Sequence, residues 1–310
     1  MCPGRFIRRR GIGANTTAPV CPCVQHGYLV LPPGLVGDGT LRQLQEETDR
    51  QVSLSCNPTH QHRFVYEESH TDLEPRLVRL LAPEDIAVYW SFTSGPAADL
   101  AADLLGPELK FHHSKLNFKW NSGASSLVSW HQDIQFWPHS NFAPLTIGIY
   151  LKDVDETCGP MSLVPLSVHN HLHNHEDEDG NWLAILPDDA LAKVPLEHAV
   201  VPMTGKAGTV IVHNCRVVHG SPPNASSSTR PLLLQTFTPA SCEAILTGSN
   251  PAVLASSKGG QQIRGSPRSC EVTEWDARAR EDTRECNWMP DPSAVPFDWL
   301  AASRLLRSHS

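Results

Sequence analysis

The chain has 310 residues, 40% of them hydrophobic and 19% charged, which suits one large β-sandwich or barrel with helical decoration. A net charge of −8 excludes a general affinity for nucleic acid or anionic membranes, both of which need a basic surface. The nine cysteines are odd in number and scattered without a secretory signal, and no run of about eighteen apolar residues offers a transmembrane helix. Reduced thiols, a cytoplasmic location, and no membrane or nucleic-acid partner are therefore expected.

Met1 to Gly37 contains no acidic residue and carries Arg5, Arg8, Arg9 and Arg10. That pattern fits an organellar transit peptide or a disordered leader, and residues 1–24 are read as leader. Cys21 and Cys23 lack a second pair at metal spacing. Order is expected from Val24 to Leu31, a short strand ended by Pro32-Pro33-Gly34. A helix follows from Asp38 to about Arg50, with Leu41 and Leu44 on one side. Residues 51–82 have no clear period and read as a loop near a site mouth, with His60, His62 and His70 on its surface. Pro83–Trp90 and Pro96–Leu105 read as two helices with proline in the first turn, the second stopped by Gly106-Pro107.

From Leu109 the pattern changes to period two. Lys110–Trp120 is a core strand, turning at Asn121-Ser122-Gly123. Next comes Ser129-Trp130-His131-Gln132-Asp133-Ile134-Gln135-Phe136-Trp137-Pro138. In extended chain His131 and Asp133 project to one face, giving two corners of a metal site. Trp120, Trp130, Phe136 and Trp137 either line a pocket or pack as core. Pro144–Leu151 is almost wholly apolar, as a strand covered on both faces would be, with Thr146 facing inward.

His169, His171, His173 and His175 alternate in a polar segment running into Glu176-Asp177-Glu178-Asp179. The segment reads as a solvated insertion or a zinc or nickel binder, and either is compatible with a lid. Asp188–Lys193 is a short helix candidate and His198–Pro202 a strand. The third metal ligand is sought in the stretch from Gly208, where His213 and His219 compete. His219 is followed by Gly220-Ser221, and Arg230 opens the strand Arg230–Phe237. Beyond Phe237, Ser256–Arg268 reads as loop, Thr273–Glu281 as a short helix and Asn287–Pro296 as extended chain.

His131, Asp133, His219, Gly220, Ser221 and Arg230, in this order, resemble the phytanoyl-CoA dioxygenase family of iron(II)- and 2-oxoglutarate-dependent oxygenases. The similarity runs over about residues 25–240 and includes Leu151–Met161, which looks like the segment after the family's HxD strand. It implies a mainly β protein with flanking helices and a double-stranded β-helix (jelly-roll, cupin-like) core. Residues 25–240 would be the oxygenase domain, and 241–310 a C-terminal arm packed on it. It also implies that His131, Asp133 and His219 are the ligands of Fe(2+). His213 then becomes a packing residue or a neighbour of the ligands.

The same resemblance implies that Arg230 holds the far carboxylate of 2-oxoglutarate, because a guanidinium is always charged and grips a carboxylate with two hydrogen bonds. Ser221 adds a hydroxyl donor. Lys119 stands where many relatives carry a lysine near the co-substrate, the other reading being a solvated strand lysine. Gly148 aligns with a frequent tryptophan, and its missing side chain would enlarge or reshape the pocket. Asp133 argues against the halogenating relatives, in which a small residue replaces the carboxylate.

The implied activity consumes O2 and 2-oxoglutarate, oxidises a small organic molecule of natural-product type, and releases succinate and CO2. Alternatives are α-hydroxylation of a fatty acyl-CoA, a noncatalytic jelly-roll metal- or ligand-binding protein, and a metal-dependent hydrolase or isomerase that would not need Arg230. The expected partner is a small-molecule substrate, and the expected state a monomer or homodimer.

Overall fold

The computed structural model describes residues 26–56, 63–66, 77–120, 127–165, 167, 172–194, 196, 200–244 and 258–265. The leader, the histidines at 60, 62, 70, 169, 171 and 198, the turn at 121–123 and the elements expected at 273–281 and 287–296 lie outside them.

Helix α1 (Asp38–Ser55) packs one face on the protein through Leu44, Thr48, Gln51 and Ser55, spaced four, three and four apart. It runs five residues past the Arg50 expected from the apolar pattern, because polar residues carry its last buried turns. Thr48 Oγ1 donates 2.7 Å to the Leu44 carbonyl and lies 3.0 Å from the Tyr89 hydroxyl, while Gln51 Nε2 donates 2.6 Å to Glu47 Oε1. Burial without an unpaired polar group is thereby met.

Residues 51–82 are not the loop that their weak period suggests. They hold the end of α1 and strands β2 (Phe64–Tyr66) and β3 (Leu77–Leu81). Helices α2 (Ala87–Phe92) and α3 (Ala98–Leu105) are joined by a wide turn at Thr93–Ala97, where Gly95 has φ −104° and ψ −107°. Pro96 sits in this kink, having no N–H to continue the ladder.

Two antiparallel sheets make the double-stranded β-helix. The larger is built from β1 (Tyr28–Leu31), β2, β3, β4 (Leu109–Lys119), β6 (Leu145–Tyr150), β9 (Val210–Asn214), β11 (Arg230–Pro239) and β12 (Gln262–Arg264). Their order is β1-β9-β6-β11-β4-β3-β2, with β12 on β4. The smaller runs β5 (Val128–His131), β10 (His219–Ser221), β7 (Ser162–Leu163) and β8 (Val201–Pro202). Strand β12 lies inside the stretch read as loop; it pairs Gln262 with Lys110, and the bridge His139–Ala244 ties the chain end of β11 to the loop after β5.

The helices cover the outer face of the large sheet, where Leu44, Phe92, Phe111, Leu116, Ile147 and Phe237 are buried together. Each such side chain contributes about 1.5–3 kcal/mol relative to exposure. A second apolar cluster, with Tyr150, Met161, Leu163, Ile211 and Leu232, fills the space between the sheets. Strand β6 thus buries Ile147 and Ile149 outward and Tyr150 inward, so all six of its residues are buried. Among the described residues no helix is long and apolar enough to cross a membrane.

Candidate metal and anion centre

Strands β5 and β10 are antiparallel neighbours, with His131 directly opposite His219. That register brings the two imidazole centroids to 4.2 Å. The strand ends at His131; Gln132 is still extended (φ −116°, ψ 127°), and Asp133 opens a 3-10 turn through Gln135. One extended residue between them keeps His131 and Asp133 on a shared face, as alternation demands. Gly220 is required by the close approach of β5, since a Cβ there would stand 2.7 Å from the Val128 carbonyl oxygen.

Backbone carbonyls fix both ring tautomers. His131 Nδ1 donates 2.8 Å to the Ser129 carbonyl and His219 Nδ1 donates 2.9 Å to that of Val217. Since a carbonyl only accepts, each Nε2 keeps its lone pair. The two Nε2 atoms lie 3.9 and 3.8 Å from Asp133 Oδ1, and one donor atom from each of His131, Asp133 and His219 falls within 4.8 Å of the others. It is the one cluster of this kind among the described residues.

The large sheet holds the other carboxylate oxygen. His213 Nε2 on β9 donates 3.2 Å to Asp133 Oδ2, and Thr146 Oγ1 on β6 donates 3.3 Å to it. Thr146 is in turn 3.0 Å from Thr236 Oγ1 on β11. Burial pushes the pKa of His131 and His219 down, that of His219 to well below the usual histidine range, so both imidazoles are neutral. For Asp133 burial acts upward, but the His213 hydrogen bond and the Lys115 charge hold it below the usual carboxylate range. Two neutral nitrogens and one carboxylate on one face, with the second oxygen engaged elsewhere, fit a divalent transition metal with open coordination positions.

At the far end of β11, Arg230 pairs across the sheet with Lys119 of β4. Both side chains are buried. Arg230 Nη2 donates 3.1 Å to the Gly159 carbonyl, and its Nε is buried with no partner among the described residues. Lys119 Nζ donates 3.0 Å to the Ser221 carbonyl and also to that of Pro222. Burial first, and Arg230 second, bring the Lys119 pKa down to about 6. Gly159 has φ +64°, and a Cβ there would stand 2.6 Å from the Pro222 oxygen, so only glycine lets these chains meet. A buried guanidinium beside an amine that can take up a proton, both answered by carbonyls, is an arrangement that accepts an anion. Ser221 is buried beside them.

Other expectations need correction. His175 is not solvated: it is fully buried, accepts a hydrogen bond from the Gln132 N–H at 3.1 Å and donates from Nδ1 to the His173 carbonyl at 2.9 Å. Its ring stacks on Trp182 at 5.5 Å. Gln132 and Gln135 side chains also bind the backbone of His173, so residues 172–176 brace the turn that carries Asp133. At Gly148 no space is opened, because Leu234 Cδ2 and Leu232 Cδ1 stand 2.9 and 3.2 Å from where a Cβ would be. Trp120 packs with the helix-side core and Trp130 beside Val164 and Leu186, while Phe136 meets the His131 ring edge-on. A cluster that the sequence reading passed over groups His112, His113, His139 and Trp137, His112 lying 5.3 Å from the Trp137 ring and 5.0 Å from that of His139.

A double-stranded β-helix with a two-histidine, one-carboxylate face defines a class of metal-binding jelly-roll proteins. Within it, the chain belongs to the phytanoyl-CoA dioxygenase (PhyH) family, whose model matches residues 23–232. It is 38% identical over 142 residues to a probable alpha-ketoglutarate-dependent hypophosphite dioxygenase of Stutzerimonas stutzeri, a match covering 44% of this chain and 47% of the relative. It is 33% identical over 140 residues to the ectoine dioxygenase of Sphingopyxis alaskensis, covering 41% and 45%. The chain thus spans about half the length of the curated relatives it matches. In fold it is similar to the crystal structure of EctD from S. alaskensis with 2-oxoglutarate and 5-hydroxyectoine (TM-score 0.61, 20% identity, 84% of this chain and 90% of that one).

Proposed function

We propose that the chain is an Fe(II)- and 2-oxoglutarate-dependent dioxygenase that hydroxylates or otherwise oxidises a small organic substrate of natural-product type. The observation that carries this is the pairing of two features in one barrel. One is a face of two Nε2 lone pairs and a carboxylate oxygen; the other is the buried Arg230 guanidinium with the Lys119 amine paired beside it. Strand β11 links them, because alternation puts Arg230, Leu232, Leu234 and Thr236 on its inner side, and Thr236 contacts the residue that holds Asp133. A metal-dependent hydrolase has no need of the second feature.

In this reading His131, Asp133 and His219 hold iron, and Arg230 grips the far carboxylate of 2-oxoglutarate, helped by Lys119 and Ser221. Bound iron supplies the redox chemistry that couples O2 to two oxidations, of the 2-oxo acid and of the substrate. A C–H bond, O2 and 2-oxoglutarate give a C–OH bond, succinate and CO2. The residues themselves orient and exclude. His213 and Thr146 turn Asp133 Oδ1 toward the histidines, Phe136 covers the edge of His131, and His175 packs against Phe136 and holds the Gln132 N–H. The names of the relatives, ectoine dioxygenase and L-proline trans-4-hydroxylase among them, support a compact polar substrate over an acyl-CoA. Residues 25–240 form the oxygenase domain in this proposal and 241–310 an arm packed on it, in a cytoplasmic monomer or homodimer.

The test is an anaerobic titration of the metal-free protein with ferrous iron and then 2-oxoglutarate, watching the visible charge-transfer band of the chelate. A band is expected in the wild type, absent in His219→Ala and Asp133→Ala, and needing far more 2-oxoglutarate in Arg230→Ala. Iron bound with no band would overturn the oxygenase reading in favour of a noncatalytic binding protein.

A further inference from the structure

Strand β4 carries a second lysine on its inner face. Its register places His113 opposite Thr236, Lys115 opposite Leu234, Asn117 opposite Leu232 and Lys119 opposite Arg230. The side chains between them, Leu116 and Phe118, are in the helix-side core. Lys115 is therefore turned inward with Lys119, but four residues nearer the end where Thr236 meets Thr146 and Asp133. It is half-buried and makes no hydrogen bond or ion pair among the described residues. Its charge nevertheless acts on Asp133, His131 and His113.

The groups beside it on the strand are neutral, and Arg79 next to them is cationic. Asn117 Oδ1 accepts a 2.9 Å hydrogen bond from Arg79 Nε, so its amide nitrogen is what remains to offer. His112 and His113 share one hydrogen bond between their Nδ1 atoms at 2.5 Å, and His112 Nε2 is buried with no partner among the described residues. The one carboxylate of this wall, Asp133, is already engaged by His213 and Thr146 on one oxygen and faced by two imidazoles on the other.

We propose that Lys115, with the Asn117 amide beside it, forms a subsite for an oxyanion group of the molecule to be oxidised, separate from the Arg230–Lys119 site of the co-substrate. The substrate class is a compact anion carrying a carboxylate or a phosphorus oxyanion. This rests on the iron and 2-oxoglutarate reading for which oxidation follows, while the anion subsite stands on Lys115 alone. The energetics favour it. A dicarboxylate at Arg230 is matched there and at the metal, and Asp133, the carboxylate that acts on Lys115, is taken up by His213, Thr146 and the metal face. Burial draws the Lys115 pKa below the usual lysine value, against the pull of Asp133 and with a push from Arg79. An arriving anion relieves that cost.

The experiment titrates the anaerobic Fe(II)·2-oxoglutarate protein with hypophosphite, methylphosphonate, propionate and the neutral propionamide, reading the shift of the visible band. Lys115→Met and Lys115→Arg are run alongside. At least one anion is expected to move the band and propionamide not to. Lys115→Met should weaken that anion about tenfold or more, Lys115→Arg should keep most of the affinity, and both should bind 2-oxoglutarate within about twofold of wild type. The phosphorus and carboxylate arms tell the two anion sources apart. Equal binding of anion and amide, an unaffected Lys115→Met, or a Lys115→Met that loses 2-oxoglutarate instead would each overturn the subsite. Should the band never form, the oxygenase reading fails separately. The 31P line width of hypophosphite and methylphosphonate, and saturation transfer to propionate, on wild type and Lys115→Met without metal then decide the subsite.

Discussion

His213 Nε2 donates a 3.2 Å hydrogen bond to Asp133 Oδ2, and this contact decides which carboxylate oxygen faces His131 and His219. The two residues come from different sheets: Asp133 follows β5 of the small sheet, and His213 lies in β9 of the large one. In the proposed site His213 is not a ligand but orients Asp133, and a carboxylate fixed by two donors loses little freedom on meeting a cation.

Removing that donor should loosen the metal. His213→Ala is expected to weaken ferrous binding by roughly 10–100-fold, and His213→Gln, which can still offer an N–H, to recover part of it. Competition against a chelator of known affinity measures both. Wild-type affinity in His213→Ala would show that Asp133 needs no such support.

The metal should also stabilise the fold. Ligand that binds only the native state adds about 2.7 kcal/mol at a hundredfold excess over Kd, or roughly 5–10 °C in Tm for a chain of this size. Ferrous iron under anaerobic conditions is expected to give that rise in wild type, and a chelator to reverse it. His219→Ala should show no rise; a similar rise there would move the stabilising ion to another site.

Acid should destabilise the protein well before its carboxylates titrate. Burial holds His113 and His175 at about 3 and His139 at about 4, against an unfolded value of about 6.5. Their folded pKa values are depressed, so the unfolded chain binds more protons between those values. Their stabilisation is complete above about 6.5 and is lost as pH falls toward 3, each at about 1.4 kcal/mol per pH unit at most. The urea midpoint should fall steadily from pH 7 to pH 5, and fall less steeply in His175→Gln. A midpoint flat over that range would contradict the burial of these rings as neutral species.

The sequence shows the site better than it shows the frame. Strand alternation puts His131 and Asp133 on one face, whereas His219, Gly220, Ser221 and Arg230 stand out in the sequence only by the family resemblance. The all-apolar β6 was likewise readable, because a strand covered on both faces has no polar side to show. What escaped was burial carried by polar groups. Helix α1 continues on Thr48 and Gln51, whose hydrogen bonds no hydropathy pattern registers, and β3 is short with Arg79 in its middle. His175 hides in an acidic stretch, and only its pairing with the Gln132 backbone explains its burial. The register shift between Thr236 and Phe237, opposite His113 and Phe111, is likewise a property of the paired strands and not of either one.

Lys119 should report the arrival of the co-substrate as a proton. With a pKa of about 6 set by burial and by Arg230, it is largely neutral at pH 7.5 and still donates to the Ser221 and Pro222 carbonyls. A carboxylate held at Arg230 adds negative charge beside it, which favours the ammonium form and raises that pKa. Binding of 2-oxoglutarate at pH 7.5 is then accompanied by uptake of close to one proton, whereas at pH 5.5 the lysine is already charged and uptake disappears. Calorimetry in phosphate and in Tris separates the cases, since the apparent enthalpies differ by the buffer ionisation enthalpy times the protons taken up. Lys119→Met should abolish the difference and weaken 2-oxoglutarate about tenfold, while Arg230→Ala should weaken it further. Identical enthalpies in both buffers at pH 7.5 would mean that the dicarboxylate binds away from Lys119, and Arg230 alone would then carry the anion.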